Sequence, residues 1–428
     1  MGGRRDRTRT PEPGSGFTAL KETCVSSKDH TGLHSVPAPD GYTGCMTCGE
    51  TCVRPVLLSG LTAMCVALLA SACAQPLAPA MEPWPAADMA APFPADNPPT
   101  PIKIELGRRL FYDGDLSWDG TMSCATCHEQ ERGFTDPNKT RAGFDGTPGE
   151  RNIQTLANLA WMSSLTWGGP HVDTLEHQAL IPIEGFVPVE MGFGGKPEGA
   201  LAQRLGDQAC YPQMFRAAFP ERGGKIDMDT ITMALAAFQR SLVSLDAPYD
   251  RWRRGDVSAI SDEAKRGAAL FEEKQCASCH AGPHFTDAAL GGRKPQEAFH
   301  RLSLPADGKD AGLMRITRKP EDAGKFRTPG LRNVALSAPY MHDGEVARLE
   351  GAVRHHFAGG GDDPRLGQTV IDGEVAALVA FLESLTDERF VTNPAFALPG
   401  PGCPLPADAT LTAEEMNSAT LHNSPPGP

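Results

Sequence analysis

Cys124-Ala125-Thr126-Cys127-His128 and Cys276-Ala277-Ser278-Cys279-His280 are the two stretches on which the reading of this chain turns. Both are C-x-x-C-H. In that spacing two thiols add to the vinyl groups of one haem as thioethers, and the adjacent His is held under the iron as its proximal ligand. A thioredoxin-like pair would not need the His and would sit in a βαβ setting. A four-Cys zinc site usually brings its pairs within about 15–20 residues of each other, whereas these two stand at positions 124 and 276. The reading is therefore two covalently bound c-type haems.

The surroundings of the motifs suggest helices. Ile104, Leu106, Leu110 and Phe111 precede the first at helical spacing, and Ala264, Ala268, Leu270 and Phe271 precede the second. Ser261 followed by Asp262 and Glu263 has the pattern of a capped helix start. Ile231, Leu235, Phe238 and Leu242 form one further apolar stripe. Val375, Leu378, Val379, Leu382 and Leu385, after Asp372, form another. No run of alternating strands is visible. The expected fold is mainly α, with two cytochrome c-like haem domains, long loops and haem groups near the domain interface. The expected limits are 102–250 for a peroxide-reactive N-terminal domain and 251–395 for a C-terminal domain that stores electrons or holes. Between them Pro248, Gly255 and the charged stretch DRWRRGD interrupt the pattern. A tail at 396–428 follows.

Composition narrows the class. The formal charge of −13 argues against a general nucleic-acid binder. Residues 1–74 read as an N-terminal extension followed by an export segment. It contains an uncharged apolar run from Val56 to Ala72, VLLSGLTAMCVALLASA, bounded by Arg54. A signal peptide has only a short basic region before that run, so Met46 is the expected start and 1–45 an extension. Cleavage before Cys73 would leave a lipid anchor there. Cleavage after Ala74 would leave a soluble protein, and no cleavage a single-pass anchor. Each choice puts residues 75–428 outside the cytoplasm, in the periplasm, with lipoprotein tethering as one form. Residues 75–101 are Pro- and Ala-rich and read as an extended tether.

The two motifs, with LGRRLFYDGDLSWDGTMSCATCH, RNIQTLAN, LEHQALIPIEGFVPVEMG, LFEEKQCASCHAGPHFTD and FRTPGLRNVALSAPYMHDG, resemble the bacterial di-haem cytochrome c peroxidase and MauG family over about residues 100–390. Within it, TWGG and LEHQALIP…VEMG look most like the MbnH-like di-haem enzymes associated with methanobactin gene clusters. The resemblance assigns roles residue by residue. Glu190 matches the Glu over an open first iron, with Gln178 and Pro182 beside it. Here the Gln-to-Glu stretch is slightly longer than the usual pattern. Trp167 matches the Trp between the haems, although a core aromatic is an equally good reading of it from sequence. Asn152 and the backbone oxygens of Ser337 and Pro339 match an inter-haem calcium site, and hard oxygen ligands suit that ion. His342, beside them, reads as a structural hydrogen-bonder.

Two departures from the family pattern carry the functional expectation. Members that need reductive activation cap the first iron with a His on the loop after the motif, and residues 129–170 contain none; His171 lies beyond that loop. The first haem is therefore expected to be open. At the second haem the aligned ligand position, Met or Tyr in the family, is occupied by His356, with His355 as its competitor. Adjacent helical residues point about 100° apart, so one of the two faces the iron. The expected ligands are His128 for the first iron and His280 with His356 for the second. Cys210 and Cys403 are candidates for a disulfide in an oxidising compartment.

The expectation that follows is a MauG-like oxidoreductase. It would use hydrogen peroxide to reach a two-electron-oxidised di-haem state. It would then oxidise a Trp, to kynurenine, on a periplasmic copper-binding MbnP-like partner. The surface Trp that precedes the second motif in MauG is replaced by Lys274 and Gln275, so the route to a partner would differ. The alternatives are a cytochrome c peroxidase fed by a small cytochrome, and a non-enzymatic di-haem electron carrier.

Overall fold

The computed structural model describes residues 83–291, 294–302, 310–358 and 366–402. The export segment with Cys73, Met46, the cysteines before it and Cys403 lie outside the described residues. The helices are α1 Pro101–Phe111, α2 Cys124–Cys127, α3 Leu175–Glu184, α4 Ala200–Gly206, α5 Tyr211–Ala218 and α6 Met228–Ser241. They continue with α7 Pro248–Arg253, α8 Asp262–Glu273, α9 Met314–Thr317, α10 Leu349–Phe357, α11 Asp372–Glu383 and α12 Glu388–Val391. The strands among the described residues are β1 Phe299–His300 and β2 Phe326–Arg327, paired antiparallel with Phe299 opposite Arg327. The fold is mainly helical, with long connections. No described helix is long and apolar enough to cross a membrane.

Local chemistry accounts for the main helix starts. The Asp227 side chain accepts from the Thr230 backbone N–H and the Thr230 hydroxyl accepts from that of Asp227, a reciprocal cap on α6. Ser261 caps α8 through the Ala264 N–H, as its position before two acidic residues suggests. Two stripe residues fall just past their helices: Leu242 is the C-cap of α6 and Leu385 lies beyond α11. Both are fully buried all the same.

The two apolar cores repeat one design. In the first, α1 crosses α6; in the second, α8 crosses α11. Gly107 sits where a Cβ would lie 1.9 Å from the Ala234 carbonyl oxygen, and Gly267 where it would lie 1.9 Å from that of Ala377. One turn on from each glycine, Phe111 meets Phe238 with ring centroids 5.2 Å apart, and Phe271 meets Phe381 at 5.0 Å. The sequence carries this repeat as GRRLF with ALAAF, then GAALF with ALVAF. Gly107→Ala and Gly267→Ala should each destabilise the fold by about 1–3 kcal/mol through overpacking. Thermal unfolding of the two variants would check this; an unchanged midpoint for both would remove the close crossing as a determinant.

The expectation of an extended tether needs correction. Residues 83–100 lack regular structure, but they are docked rather than a free tether. The Trp84 indole donates to Asp250 at 2.7 Å and lies 4.0 Å beneath the Arg253 guanidinium. Asn97 is buried and donates to Glu176 and to the Met233 carbonyl. Pro and Ala forbid a regular element there, but a composition cannot show that single side chains find buried partners. The charged stretch DRWRRGD, between the two expected domains, lies largely in α7. Its Asp250 is fully buried in α7 and pairs with both terminal nitrogens of Arg332 at 2.7 and 2.8 Å. The C-terminal segment returns to the first half of the chain. Phe390 joins the first core, and the carbonyls of Phe396 and Ala397 accept from Tyr112 and Arg108 of the α1 region. Cys210 is disulfide-bonded.

Candidate di-haem site

Each C-x-x-C-H motif follows its Gly-Phe helix closely, so the same helix crossing positions both. Cys124, Cys127, Cys276 and Cys279 are all unbridged, as thioether attachment requires. Burial pushes the Cys124 and Cys127 thiols up to about 12 and Cys276 to about 11, which keeps them neutral. His128 sits with its ring 6.4 Å from Phe111, and His280 with its ring 6.4 Å from Phe271. The His128 Nδ1 bonds to the Phe134 carbonyl at 2.8 Å, and the His280 Nδ1 to the Phe285 carbonyl at 3.0 Å. An imidazole that donates through Nδ1 keeps its lone pair on Nε2, the form a metal needs. Burial holds both rings well below their usual pKa; for His280 the nearby His356 adds to the effect and the value falls to about 4. Both are neutral ligands at neutral pH.

The two sites then diverge. The His356 ring stands 6.3 Å from that of His280. Imidazoles on opposite faces of one metal, each nitrogen about 2 Å from it, have ring centres about 6 Å apart. The His356 Nδ1 bonds to the Ala352 carbonyl of its own helix, α10, at 2.8 Å, so Nε2 carries its lone pair too. Burial lowers its pKa. The His355 ring stands 6.5 Å from that of His356, with its plane inclined by 82°. Among the described residues no second imidazole stands against His128 in this way. His171, the first His beyond the loop, is exposed and contacts His177 instead.

Glu190 is brought to the first motif by backbone bonds. Gln178 and Pro182 stand one turn apart on α3, which Thr174 caps. The Pro182 carbonyl accepts from Met191 at 2.8 Å, folding the following loop back onto the helix. The Glu190 carbonyl accepts from Phe144, and that of Met191 from Trp118, in the segment leading to Cys124. The Glu190 charge acts on both Cys124 and Cys127. Its own carboxyl is pushed up by burial alone. The loop between α3 and Glu190 exposes Phe186 and Val187, 66% and 79% accessible.

Trp167 is tied to both halves. Its indole N–H donates to the Asn152 carbonyl at 2.8 Å, and its own carbonyl accepts from the Arg327 N–H at 2.9 Å. Trp167, Asn152, Ser337 and Pro339 line one cavity. The Asn152 amide nitrogen donates to the Asn138 and Lys139 carbonyls, which leaves its oxygen as an acceptor. His342, expected as a structural hydrogen-bonder, stacks its ring on Phe326 at 3.7 Å, and its carbonyl accepts from the Asn152 N–H.

Other residues at the site escaped the sequence reading. Phe134 and Phe285, which hold the proximal imidazoles, both have positive φ, and both open a Phe-Thr-Asp triplet a few residues after the motif His. That repeat was the signal. Asn158 and Asn333 end the related segments RNIQTLAN and FRTPGLRN, also at positive φ. Cys279, Asp287 and His300 converge near the second motif. With Cys279 committed as a thioether, the remaining pair is an ion pair: His300 bonds to Asp287 at 2.7 Å and is pushed up to about 9, chiefly by that carboxylate. Nothing in the local sequence spacing announces it.

Two linked heme-attachment domains, each a helix crossing with a C-x-x-C-H and a neutral proximal imidazole, define a di-haem c-type cytochrome fold. A family profile described as di-haem cytochrome c peroxidase matches residues 101–258, and one described as cytochrome c matches 264–386. The methylamine utilization protein MauG of Methylorubrum extorquens is 40% identical over 305 residues, covering 69% of this chain and 82% of that one. The cytochrome c peroxidase Ccp of Escherichia coli is 34% identical over 301 residues, covering 69% of this chain and 60% of that one. A solved MauG-like protein associated with microbial copper homeostasis aligns with a TM-score of 0.68 at 37% identity, over 74% of this chain and 98% of that one. The chain belongs to the di-haem cytochrome c peroxidase and MauG family, and it is a peroxide-dependent oxidoreductase with two c-type haems.

Proposed function

We propose that this chain is a MauG-like enzyme, akin to the MbnH-like group, that spends the oxidising power of hydrogen peroxide on a residue of a partner protein. The target is a Trp, converted to kynurenine, on a periplasmic copper-binding protein. The observation that carries the reading is the asymmetry at the two motif histidines: His280 is faced by His356, whereas beside the His128 motif lies a buried carboxyl, Glu190. The likeness to the MauG-like protein associated with copper homeostasis supports the choice of partner. Phe186 and Val187 also support a macromolecular substrate, since peroxide has no use for an exposed apolar knuckle beside its own site.

The residues present suit the cofactors. Cys124, Cys127 and His128 would hold one haem, and Cys276, Cys279, His280 and His356 the other. The haems supply peroxide reduction and hold the oxidising equivalents. Glu190, with Gln178 and Pro182 on the facing helix, accepts a proton from the oxygen being bound and returns one to the oxygen that leaves. Trp167, tethered to both halves, is the path between them. Two imidazoles favour oxidised iron relative to His/Met ligation, which suits the second site to storing a hole. Calcium would take oxygens from Asn152, Ser337 and Pro339. Asn152→Ala should then lower the calcium bound per chain by metal analysis, and unchanged content would remove Asn152 from that site. The export segment, outside the described residues, places the chain in the periplasm, with Cys73 as a point of lipid attachment.

Mixing the ferric protein with peroxide tests the reading. The expected result is a spectral change without prior reduction, a long-lived oxidised species, and oxidation of a Trp in the partner. Turnover only after half-reduction and with a reduced small cytochrome would make it a conventional cytochrome c peroxidase. Two low-spin haems inert to peroxide would leave an electron carrier.

A further inference from the structure

Trp161 and His284 meet face to face where the two halves of the chain join. Their ring centroids are 4.9 Å apart and their planes are inclined by 27°. His284 is 6% exposed, and its Nδ1 has no hydrogen-bond partner. Trp161 packs against the first core. His284 immediately precedes Phe285, whose carbonyl holds the His280 imidazole. The join is strapped by backbone bonds at Trp161 and the two residues after it. The Leu290 N–H donates to the Trp161 carbonyl at 2.6 Å, Ser163 N–H donates to that of Ala288 at 2.8 Å, and Met162 pairs with Ala289. His284, Leu159 and Met162 line the same cavity as Trp167.

Packing alone does not explain this pair. An imidazole buried with an unpaired nitrogen costs free energy that a Leu or Phe of similar volume would not. An indole is an easily oxidised side chain, and a neutral ring against its face adds polarisable π density without adding positive charge. Burial, reinforced by the Arg332 charge, lowers the His284 pKa to about 3, so the ring facing the indole is neutral at working pH.

We propose that Trp161, stacked on His284, is a second electron-hole carrier between the two halves, working beside Trp167. The proposal rests on the peroxide-dependent reading above. Hydrogen peroxide takes two electrons and two protons to give two waters; the protein substrate supplies both electrons in the end, and one of them passes through the Trp161 indole. No bond breaks at the indole. Its N–H proton is not passed to His284, whose ring is stacked on the indole rather than set in line with that N–H. The hole is filled when the protein substrate gives up an electron.

The test uses the haem-loaded protein, treated in the ferric state with hydrogen peroxide and no substrate. Peptide mapping by mass spectrometry then locates oxygen adducts, and freeze-quenched electron paramagnetic resonance detects indole radicals. Wild type is expected to carry adducts at Trp161. In Trp167→Phe they should rise severalfold, with a remaining indole radical that Trp161→Phe abolishes. His284→Leu should lower the Trp161 adducts while haem content and resting spectra stay unchanged. The proposal is overturned if peroxide changes the spectrum but Trp161 stays unmodified in both wild type and Trp167→Phe. A ferric spectrum that does not respond to peroxide at all would overturn the peroxide reading, and this one with it. The wild-type map needs no variant, so a misfolded mutant cannot mask the answer.

Discussion

Replacing Glu190 by Gln is expected to slow the reaction of the ferric protein with hydrogen peroxide by about 10²–10⁴-fold, the usual worth of a positioned proton-transfer group. The backbone bonds that hold the Glu190 loop, from Phe144 to the Glu190 carbonyl and from Met191 to that of Pro182, involve no side chain of residue 190. The fold of the loop should therefore survive, and the loss should fall on the rate. The pH profile gives an independent check. Burial raises the Glu190 pKa, and the carboxyl must be ionised to accept a proton. The wild-type rate should thus decline on the acid side at a pH above the ordinary carboxylate range, and Glu190→Gln should lack that limb. Stopped-flow rates across pH measure both. A rate within about threefold of wild type would take Glu190 out of proton transfer.

His356→Ala is expected to convert the second haem from low-spin to high-spin, visible in the ferric absorption and paramagnetic resonance spectra, while His355→Ala leaves it unchanged. The physical ground is the 6.3 Å separation of the His280 and His356 rings, with Nδ1 of each already committed to a carbonyl. The reverse outcome, with only His355→Ala altering the spectrum, would reassign the ligand. The first haem should keep its high-spin signal in both variants. If the resting protein shows no high-spin haem at all, the proposed asymmetry fails at its root.

Much of the site was readable before any coordinates. The two motifs and the Gly-Phe helices in front of them are local patterns, because thioether attachment and a close helix crossing each demand particular residues a few positions apart. The choice between His355 and His356 was half legible: helical geometry says that one of two neighbours faces the iron. The family resemblance puts His356 at the ligand position, and α10 brings its ring to 6.3 Å from that of His280. Glu190 was harder. It lies in a loop of unusual length, and its approach to the first motif depends on bonds to Pro182, Phe144 and Trp118 that no spacing rule describes. The docking of residues 83–100 is not legible in the sequence for a related reason. Trp84 and Asn97 sit in a Pro- and Ala-rich stretch, and their partners Asp250 and Met233 are far away in sequence.

By itself, then, the sequence determined which cofactor this chain carries, how many copies, and a helical class, since covalent chemistry and helix periodicity act over short separations. Only the tertiary structure decided what stands opposite the His280 imidazole, how Glu190 is brought to the first motif, and that an indole and an imidazole stack across the join. Those depend on contacts between residues tens of positions apart or more, and on burial, which lowers the pKa of His280 and His284 and raises that of Glu190. Neither quantity is encoded in any one window of the chain.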